Sequence, residues 1–241
     1  MIRATEFRLS RIQASAFFAG QQVRPARLLV SMPSGWTSVY DGDPVSLPIP
    51  PDAPAEIPSV ILSSTDRRQA AQISRARLDL IRDCEGPQEP VLATELSMLA
   101  TRLVELLDRM PNVQFGRLAA IVARIAERAN PGIALAQQFC QERWLRGPLN
   151  RPEGFELHAH KVFDLSGSGA VNSWMRIRTV KLGNEPFGNI LVEQDINTPA
   201  EEAEARRFTS TDVTAWYDAA AQQFDQVLSM YFPNAPSDAG V

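Results

Sequence analysis

The 241-residue sequence lacks the features that mark several large classes of protein. No apolar run approaches the roughly 20 residues that a membrane-spanning helix needs. The first 18 residues carry scattered arginines instead of a basic start followed by an apolar block, so we expect a protein that is not exported. The formal net charge is −4, whereas proteins that bind nucleic acid through its phosphates usually carry a basic surplus. A nucleic-acid partner is therefore disfavoured.

Motifs for catalysis and metal binding are also missing. Cys84 and Cys140 form no C-x-x-C pair and have no close histidine, which disfavours a zinc site. We expect two free thiols, with a disulfide as the alternative. The Ser-Gly-Ser-Gly run at Ser166 follows a strand-like segment but lacks the lysine of a P-loop. No G-x-S-x-G nucleophile motif is present.

The most clearly patterned part of the sequence is its last third, from Phe155 to Tyr231. Three strand-like runs, FELHAHKVF, VNSWMRIRTVKL and FGNILVEQDI, are separated by the polar turns DLSGSGA and GNEP. Alternating apolar and polar side chains in these runs predict antiparallel strands. The segment TDVTAWYDAAAQQFDQVLSMY then has apolar residues at helical spacing, with Thr209 or Ser210 as its N-cap. These patterns predict a three-stranded meander covered by a long helix.

The N-terminal half repeats this order of elements. A first strand is predicted over 5–18, and a short helix begins at Pro25. Prolines recur from 41 to 58, which predicts an exposed loop because proline lacks a backbone N–H. Strands follow from Ser59 to Asp83, before a break at Gly-Pro. Leucines spaced by three or four residues from Val91 to Met110 then predict a long helix.

The segment from Val113 to Glu127 fits a helix, by its alanine content, or a long strand. We predict a strand, because the two halves then share one layout of strand, short helix, three-stranded meander and long helix. The short helix of the second half is predicted from Gly132 to Trp144, after an Asn-Pro pair suited to its N-cap and first turn. The expected fold is α+β, with two pseudo-repeated halves, 1–111 and 112–241, packed as one globular unit.

With this layout the sequence resembles a family of bacterial proteins of similar length and sporadic distribution. The similarity lies in the strand pair SVILSSTDRRQAAQISRARLDLI, in GRLAAIVARI, whose Arg117 matches an arginine that opens a strand in the family, and in the last helix. The glycine that follows the turn aspartate in the family is absent after Asp66. The resemblance implies a cytoplasmic bacterial protein encoded near mobile or defence systems, and it supplies no catalytic residues.

His158 and His160 are the two histidines of the sequence, and their spacing places both on one face of a strand. With Asp195, on a strand predicted to lie near, they form a candidate metal site, because imidazole and carboxylate groups are common ligands of divalent ions. Glu156 lies on the same face as the histidines. A solvated polar strand face is the simpler interpretation.

A second candidate site consists of arginines and a tryptophan placed on one face of predicted strands. Its members are Arg75, Arg77, Trp174, Arg176 and Arg178. Arginine binds phosphate and carboxylate groups, and an indole can stack on a base, so the group would bind an anion or nucleic acid. The interpretation that we favour instead pairs these arginines across strands with Glu193 and Asp195.

The function expected from these patterns is that of a non-catalytic interaction protein, a subunit of a bacterial complex whose partner is another protein. A metal-dependent hydrolase or nuclease is one alternative, and a module that binds anions or nucleic acid is another. A homo-oligomer is compatible with the sequence. No membrane association and no cofactor are expected.

Overall fold

The computed structural model describes residues 1–20, 23–50, 52–84, 90–181 and 188–234. The strands are β1 (Arg8–Phe18), β2 (Val45–Ser46), β3 (Val60–Ser63), β4 (Gln69–Ile73), β5 (Arg77–Asp83), β6 (Phe115–Glu127), β7 (Glu156–Leu165), β8 (Gly169–Val180) and β9 (Asn189–Asn197). The α-helices are α1 (Pro25–Val30), α2 (Ser34–Thr37), α3 (Leu92–Arg109), α4 (Pro131–Phe139), α5 (Glu142–Leu145) and α6 (Ser210–Tyr231). The breaks predicted at Gly86-Pro87 and at residues 183–186 lie outside the described residues. None of the helices is both long and apolar enough to span a membrane within the described ranges.

The nine strands of the described residues form one antiparallel sheet in the order β2-β3-β4-β5-β1-β6-β9-β8-β7. Its centre is the β1–β6 pair, which places Ser15 opposite Ala119. β5 flanks β1 on one side, and β9 flanks β6 on the other. Residues 1–111 therefore form one wing of the sheet and residues 112–241 the other, in agreement with the predicted α+β class.

The segment from Val113 to Glu127, which fitted both a helix and a strand, contains a strand. Leu118, Ala120 and Val122 of β6 are completely buried and face the main core. β6 is hydrogen-bonded to a neighbouring strand on each edge. Several of its residues on the opposite face of the sheet are also buried or half-buried, so the sequence of β6 has little polar character on either face. This burial explains why alternation in the segment is weak enough to resemble a buried helix.

The long helices α3 and α6 lie side by side on one face of the sheet, and their apolar stripes share a core with the central strands. The largest fully buried side chains of this core are Trp36, Phe115, Trp216, Tyr217 and Phe224. Burial of each such side chain contributes on the order of 1.5–3 kcal/mol. Thr209, one of the two predicted N-caps, begins α6 and forms a capping box. The Asp212 N–H donates to Thr209 Oγ1 over 3.2 Å, and the Thr209 N–H donates to the Asp212 carboxylate over 2.9 Å.

Two buried polar groups fix α6 on the sheet. The Tyr217 hydroxyl lies 2.9 Å from the carbonyl oxygen of Ser15 and 3.1 Å from that of Ala119, so its proton is directed at the central strand pair. Complete burial raises the pKa of Tyr217 well above its ordinary value. Nearby, the buried Arg124 guanidinium donates to the side chains of Gln194 and Asp225, and burial lowers its pKa.

The second half departs from prediction at its short helix. The helix predicted from Gly132 to Trp144 is two helices, α4 and α5, because the backbone at Cys140 and Gln141 is extended. Pro131 occupies the first turn as expected. Asn130 precedes it in the left-handed region, with φ of 52°, and its side chain makes no capping hydrogen bond.

In the first half, QAAQISRARLDLI contains the second and third strands of the meander. It forms β4 and β5, joined by a turn in which the Ser74 hydroxyl oxygen accepts hydrogen bonds from the N–H groups of Ala76 and Arg77. The serine hydroxyl thus accepts the hydrogen bonds that these N–H groups would otherwise donate to a neighbouring strand. Arg75 lies in this turn. In the proline-rich loop over 41–58, the described residues contain a single two-residue strand, β2, whose side chains are exposed.

Candidate functional site

The side chains that point away from α3 and α6 form the outer face of the sheet. Residues directly opposite one another in an antiparallel ladder project from the same face, so the register shows which of them are neighbours. One row across the outer face contains His160, Trp174, Asp195, Ile121 and Gln13. The adjacent row contains His158, Arg176, Glu193, Ala123 and Arg11. The predicted residues of β7, β8 and β9 thus share one surface.

An exposed aromatic pair lies at the β7 end of this surface. The rings of His160 and Trp174 are stacked, with centroids 3.9 Å apart and planes 16° from parallel. His160 Nε2 lies 3.1 Å from the side-chain oxygen of Asn172, so this nitrogen is the donor. Trp174 remains 47% exposed. A large indole is therefore held in a fixed orientation by its neighbours and is still available to solvent.

The arginines beside this pair are bonded to carboxylates. Arg176 donates to Glu156, whose Oε1 also lies 2.8 Å from His158 Nε2. Hydrogen bonds, first from His158 and then from Arg176, lower the pKa of Glu156. Arg178 Nη2 lies 2.9 Å from Glu193 Oε2, which confirms that predicted cross-strand pair.

We name the surface formed by these side chains the Trp174 patch. It consists of His158, His160, Trp174, Arg176 and Arg178, with their partners Glu156 and Glu193. It combines an exposed aromatic surface with two guanidinium groups whose charges are balanced locally.

The structure does not bring the predicted metal ligands together. Trp174 lies between His160 and Asp195 in the ladder, so two inter-strand spacings, about 10 Å between backbones, separate them. His158 is engaged with Glu156 instead. Among the described residues, no group of three or more His, Cys, Asp or Glu side chains is placed to hold a metal ion.

Asp195 lies between the Trp174 patch and the centre of the sheet. Burial raises the pKa of its carboxyl group, while a hydrogen bond from Asn197 and the nearby charge of Arg117 lower it. The Asn197 amide donates to Asp195 Oδ1 over 2.9 Å. The burial effect is the largest of the three, so the environment of Asp195 opposes a full negative charge at this position.

The other two members of the predicted anion site lie in the opposite wing. Arg77 is on β5, four strands away from β8, and its Nε is 2.9 Å from Asp79 Oδ2. Arg75 lies in the β4–β5 turn and donates to the carbonyl oxygen of Ala53. The predicted set therefore divides into two separate groups, and only the group on β8 adjoins the aromatic pair.

A buried polar cluster near the centre of the outer face was not predicted. The Ser15 hydroxyl donates to Asp79 Oδ1 over 2.6 Å, and both residues are at most 2% exposed. Such a pair holds β1 and β5 in register but offers no access to a substrate. The two residues are 64 positions apart in sequence, so alternation within either strand cannot reveal that they pair.

A second unpredicted feature beside this cluster is a phenylalanine flanked by two arginines. The guanidinium carbons of Arg117 and Arg77 lie 4.6 Å and 5.7 Å from the ring centroid of Phe17. Arg117 also donates to Thr198 O and to Asn197 Oδ1, each over 3.0 Å. These bonds connect β6 to the end of β9, so Arg117 has a structural role in addition to its place near the ring.

In comparisons with known proteins, neither a family model nor a curated protein matches the chain.

Proposed function

We propose that the protein is a non-catalytic binding protein, a subunit of a bacterial complex, that docks another protein on the Trp174 patch. The observation that carries this proposal is the half-exposed Trp174, held against His160, with Arg176 and then Arg178 following it on the same face of β8. Tryptophan and arginine are among the residues most often found to dominate the energy of protein interfaces. A rigid indole also loses little conformational entropy when a partner covers it.

The charges of the patch favour a protein over a polyanion as its occupant. Arg176 is bonded to Glu156, and Arg178 to Glu193, so neither arginine adds unbalanced positive charge. A phosphate backbone would have to displace these carboxylates from the arginines, and its negative charge would also be repelled by them. The partner that fits is a protein that inserts an apolar or aromatic side chain beside Trp174 and surrounds it with charges of both signs.

The test is capture of partners by variants of this surface. Trp174→Ala removes the proposed anchor, and Trp144→Ala is a matched control because Trp144 is 45% exposed and also lies beside an arginine, Arg143. Products of neighbouring genes would be co-expressed with each tagged variant. We expect a partner that wild type and Trp144→Ala retain and that Trp174→Ala loses, with affinity reduced roughly 30-fold or more for an anchor of this kind.

Two outcomes would contradict the proposal. One is a set of captured proteins that is the same for wild type and Trp174→Ala. The other is binding of a single-stranded oligonucleotide that requires Trp174 and weakens steeply with salt, as phosphate contacts do. Hydrolysis of a substrate by the purified protein, lost on chelation of a metal, would favour the metal-dependent alternative.

We also infer that the two halves are a topological pseudo-repeat. Read outward from the central pair, the first wing has the order β1, β5, β4, β3, β2, and the second has the order β6, β9, β8, β7, so the first wing carries the two-residue strand β2 as an extra outer strand. Along the chain, a long helix follows the final strand of each wing, α3 after β5 and α6 after β9. Superposition of residues 1–111 on 112–241 in an experimental structure tests this relation, and a poor match of strands and helices would reject it.

The state of the two cysteines bears on the cellular compartment of the protein. We infer a cytoplasmic protein because both cysteines, Cys84 and Cys140, are free thiols, as is usual in a reducing compartment. The gene neighbourhood implied by the family resemblance, that of mobile or defence systems, supports the search for a partner among adjacent genes.

A further inference from the structure

A cleft far from the Trp174 patch opens where β1 ends, α1 begins and β6 starts. Its volume is about 350 Å³, within the range of roughly 300–1,000 Å³ that is typical of small-molecule sites. Its apolar floor is lined by Phe18, Val23, Met110 and Val113. Its rim carries Arg24 and Arg27, together with side-chain amides.

The floor of the cleft is built into the fold. Phe18, Val23 and Met110 are partly buried against the main core, and Val113 belongs to that core. Backbone hydrogen bonds fix the surrounding chain, from Phe18 N to Ala76 O over 2.9 Å and from Val23 N to Arg75 O over 2.9 Å. The apolar surface is therefore preformed, so a ligand would not need to order it on binding.

The rim differs in charge from the rest of the surface described above. Arg24 and Arg27 are exposed, and their side chains make no hydrogen bond or ion pair with other described residues. Among the residues that the structure describes, no aspartate or glutamate lines the cleft. The arginines of the Trp174 patch, by contrast, are all bonded to carboxylates. Two unneutralised guanidinium groups above an apolar floor, in a chain of net charge −4, are suited to an anionic head group.

We propose that this cleft binds a small organic anion with an apolar body, such as an aromatic or medium-chain carboxylate. The apolar body would cover Val23 and Met110, and the carboxylate would accept hydrogen bonds from Arg24 and Arg27. This site is independent of the proposed docking of a protein on the Trp174 patch, so either proposal can fail without the other.

The experiment uses the intact chain with two probes, 8-anilinonaphthalene-1-sulfonate, followed by its fluorescence, and decanoate as a competitor. We expect saturable binding of the dye at one site and its displacement by decanoate, with decanol much weaker. Replacement of Arg24 and Arg27 together by glutamine should weaken dye binding about tenfold or more, because two charge-assisted hydrogen bonds are lost.

The matched control replaces Arg143 and Arg146 together by glutamine. It removes the same charge from two exposed arginines, Arg143 in α5 and Arg146 directly after it, and should leave dye affinity unchanged. The double substitution Arg24→Lys and Arg27→Lys should recover part of the affinity. Thermal unfolding that is the same for all variants excludes dye binding to an unfolded fraction. Equal dye affinity in wild type and the Arg24/Arg27 glutamine variant would overturn the proposal. Displacement by inorganic phosphate as effective as that by decanoate would also overturn it, because the apolar floor would then contribute nothing.

Discussion

The buried hydroxyl of Tyr217 provides a sharp test of how α6 is attached to the sheet. Tyr217→Phe keeps the ring and removes the proton that is directed at the carbonyl oxygens of Ser15 and Ala119. Those oxygens would then face an apolar ring. We expect a loss of about 1–2 kcal/mol in the free energy of unfolding at pH 7, and a fall in Tm of about 2–4 °C for each kcal/mol in a chain of this size.

The same residue predicts a dependence on pH. The pKa of Tyr217 is raised in the folded protein, so above about pH 10 the unfolded chain loses this proton while the folded chain keeps it. The unfolded state then binds fewer protons, and stability falls as pH rises. The contribution reaches about 1.4 kcal/mol at pH 11. Because Tyr217→Phe has no such proton, the difference between wild type and variant should shrink by about that amount between pH 7 and pH 11.

Urea unfolding, followed by tryptophan fluorescence at both pH values, measures this difference. Tyr231→Phe is the control, since Tyr231 packs against Phe139 and its hydroxyl bonds to no other described residue. It should change stability by a few tenths of a kcal/mol, equally at both pH values. A Tyr217→Phe penalty that is absent at pH 7, or that is the same at pH 7 and pH 11, would refute a buried, hydrogen-bonded hydroxyl.

Two further predictions concern close packing and thiol chemistry. A Cβ at Gly116 would lie 1.8 Å from Ala203 O, so Gly116→Ala should destabilise the protein by about 1–3 kcal/mol or more. Gly35→Ala is the control, because nothing lies within 4 Å of its new Cβ. Equal urea unfolding midpoints for the two variants would contradict this prediction. Burial raises the pKa of the Cys84 thiol to about 11, so a disulfide reagent at pH 8 should label only Cys140 rapidly. Rapid labelling of the Cys140→Ser variant would contradict this, because it would show that Cys84 is accessible.

The elements that were predicted well are those set by local periodicity. α3 and α6 have apolar residues every three or four positions. Alternation placed His158 and His160 on one face of β7 and, separately, Trp174, Arg176 and Arg178 on one face of β8, and the register shows that these two faces are the same side of the sheet. Alternation does not locate the turn at Ser74, because this serine ends β4 without interrupting the apolar pattern. Alternation was also inconclusive in the central strand β6, which is shielded on both faces. The strand predicted there from the expected layout of the two halves is confirmed.

The candidate site required information that periodicity does not contain. Period-two alternation fixes the face of a strand, but a metal site depends on which residues stand opposite each other on different strands. The register places Trp174 between His160 and Asp195, and this separates the ligands. Likewise, Arg117 and Asn197 are 80 positions apart, and their hydrogen bond exists only because β6 and β9 are neighbours.

The central pairing of β1 with β6 has a consequence for how the chain folds as it leaves the ribosome. The β1–β6 ladder joins ten residue pairs, and β6 does not end until Glu127. Before then, pairing of β1 with β5 alone leaves the other edge of β1 open, with its backbone N–H and C=O groups unpaired along most of the strand. The first 111 residues are thus left for a time as a half-built sheet that a second nascent chain can pair with. Synthesis of the next sixteen residues closes that edge, so slow translation across this interval should favour aggregation and prompt delivery of β6 should prevent it.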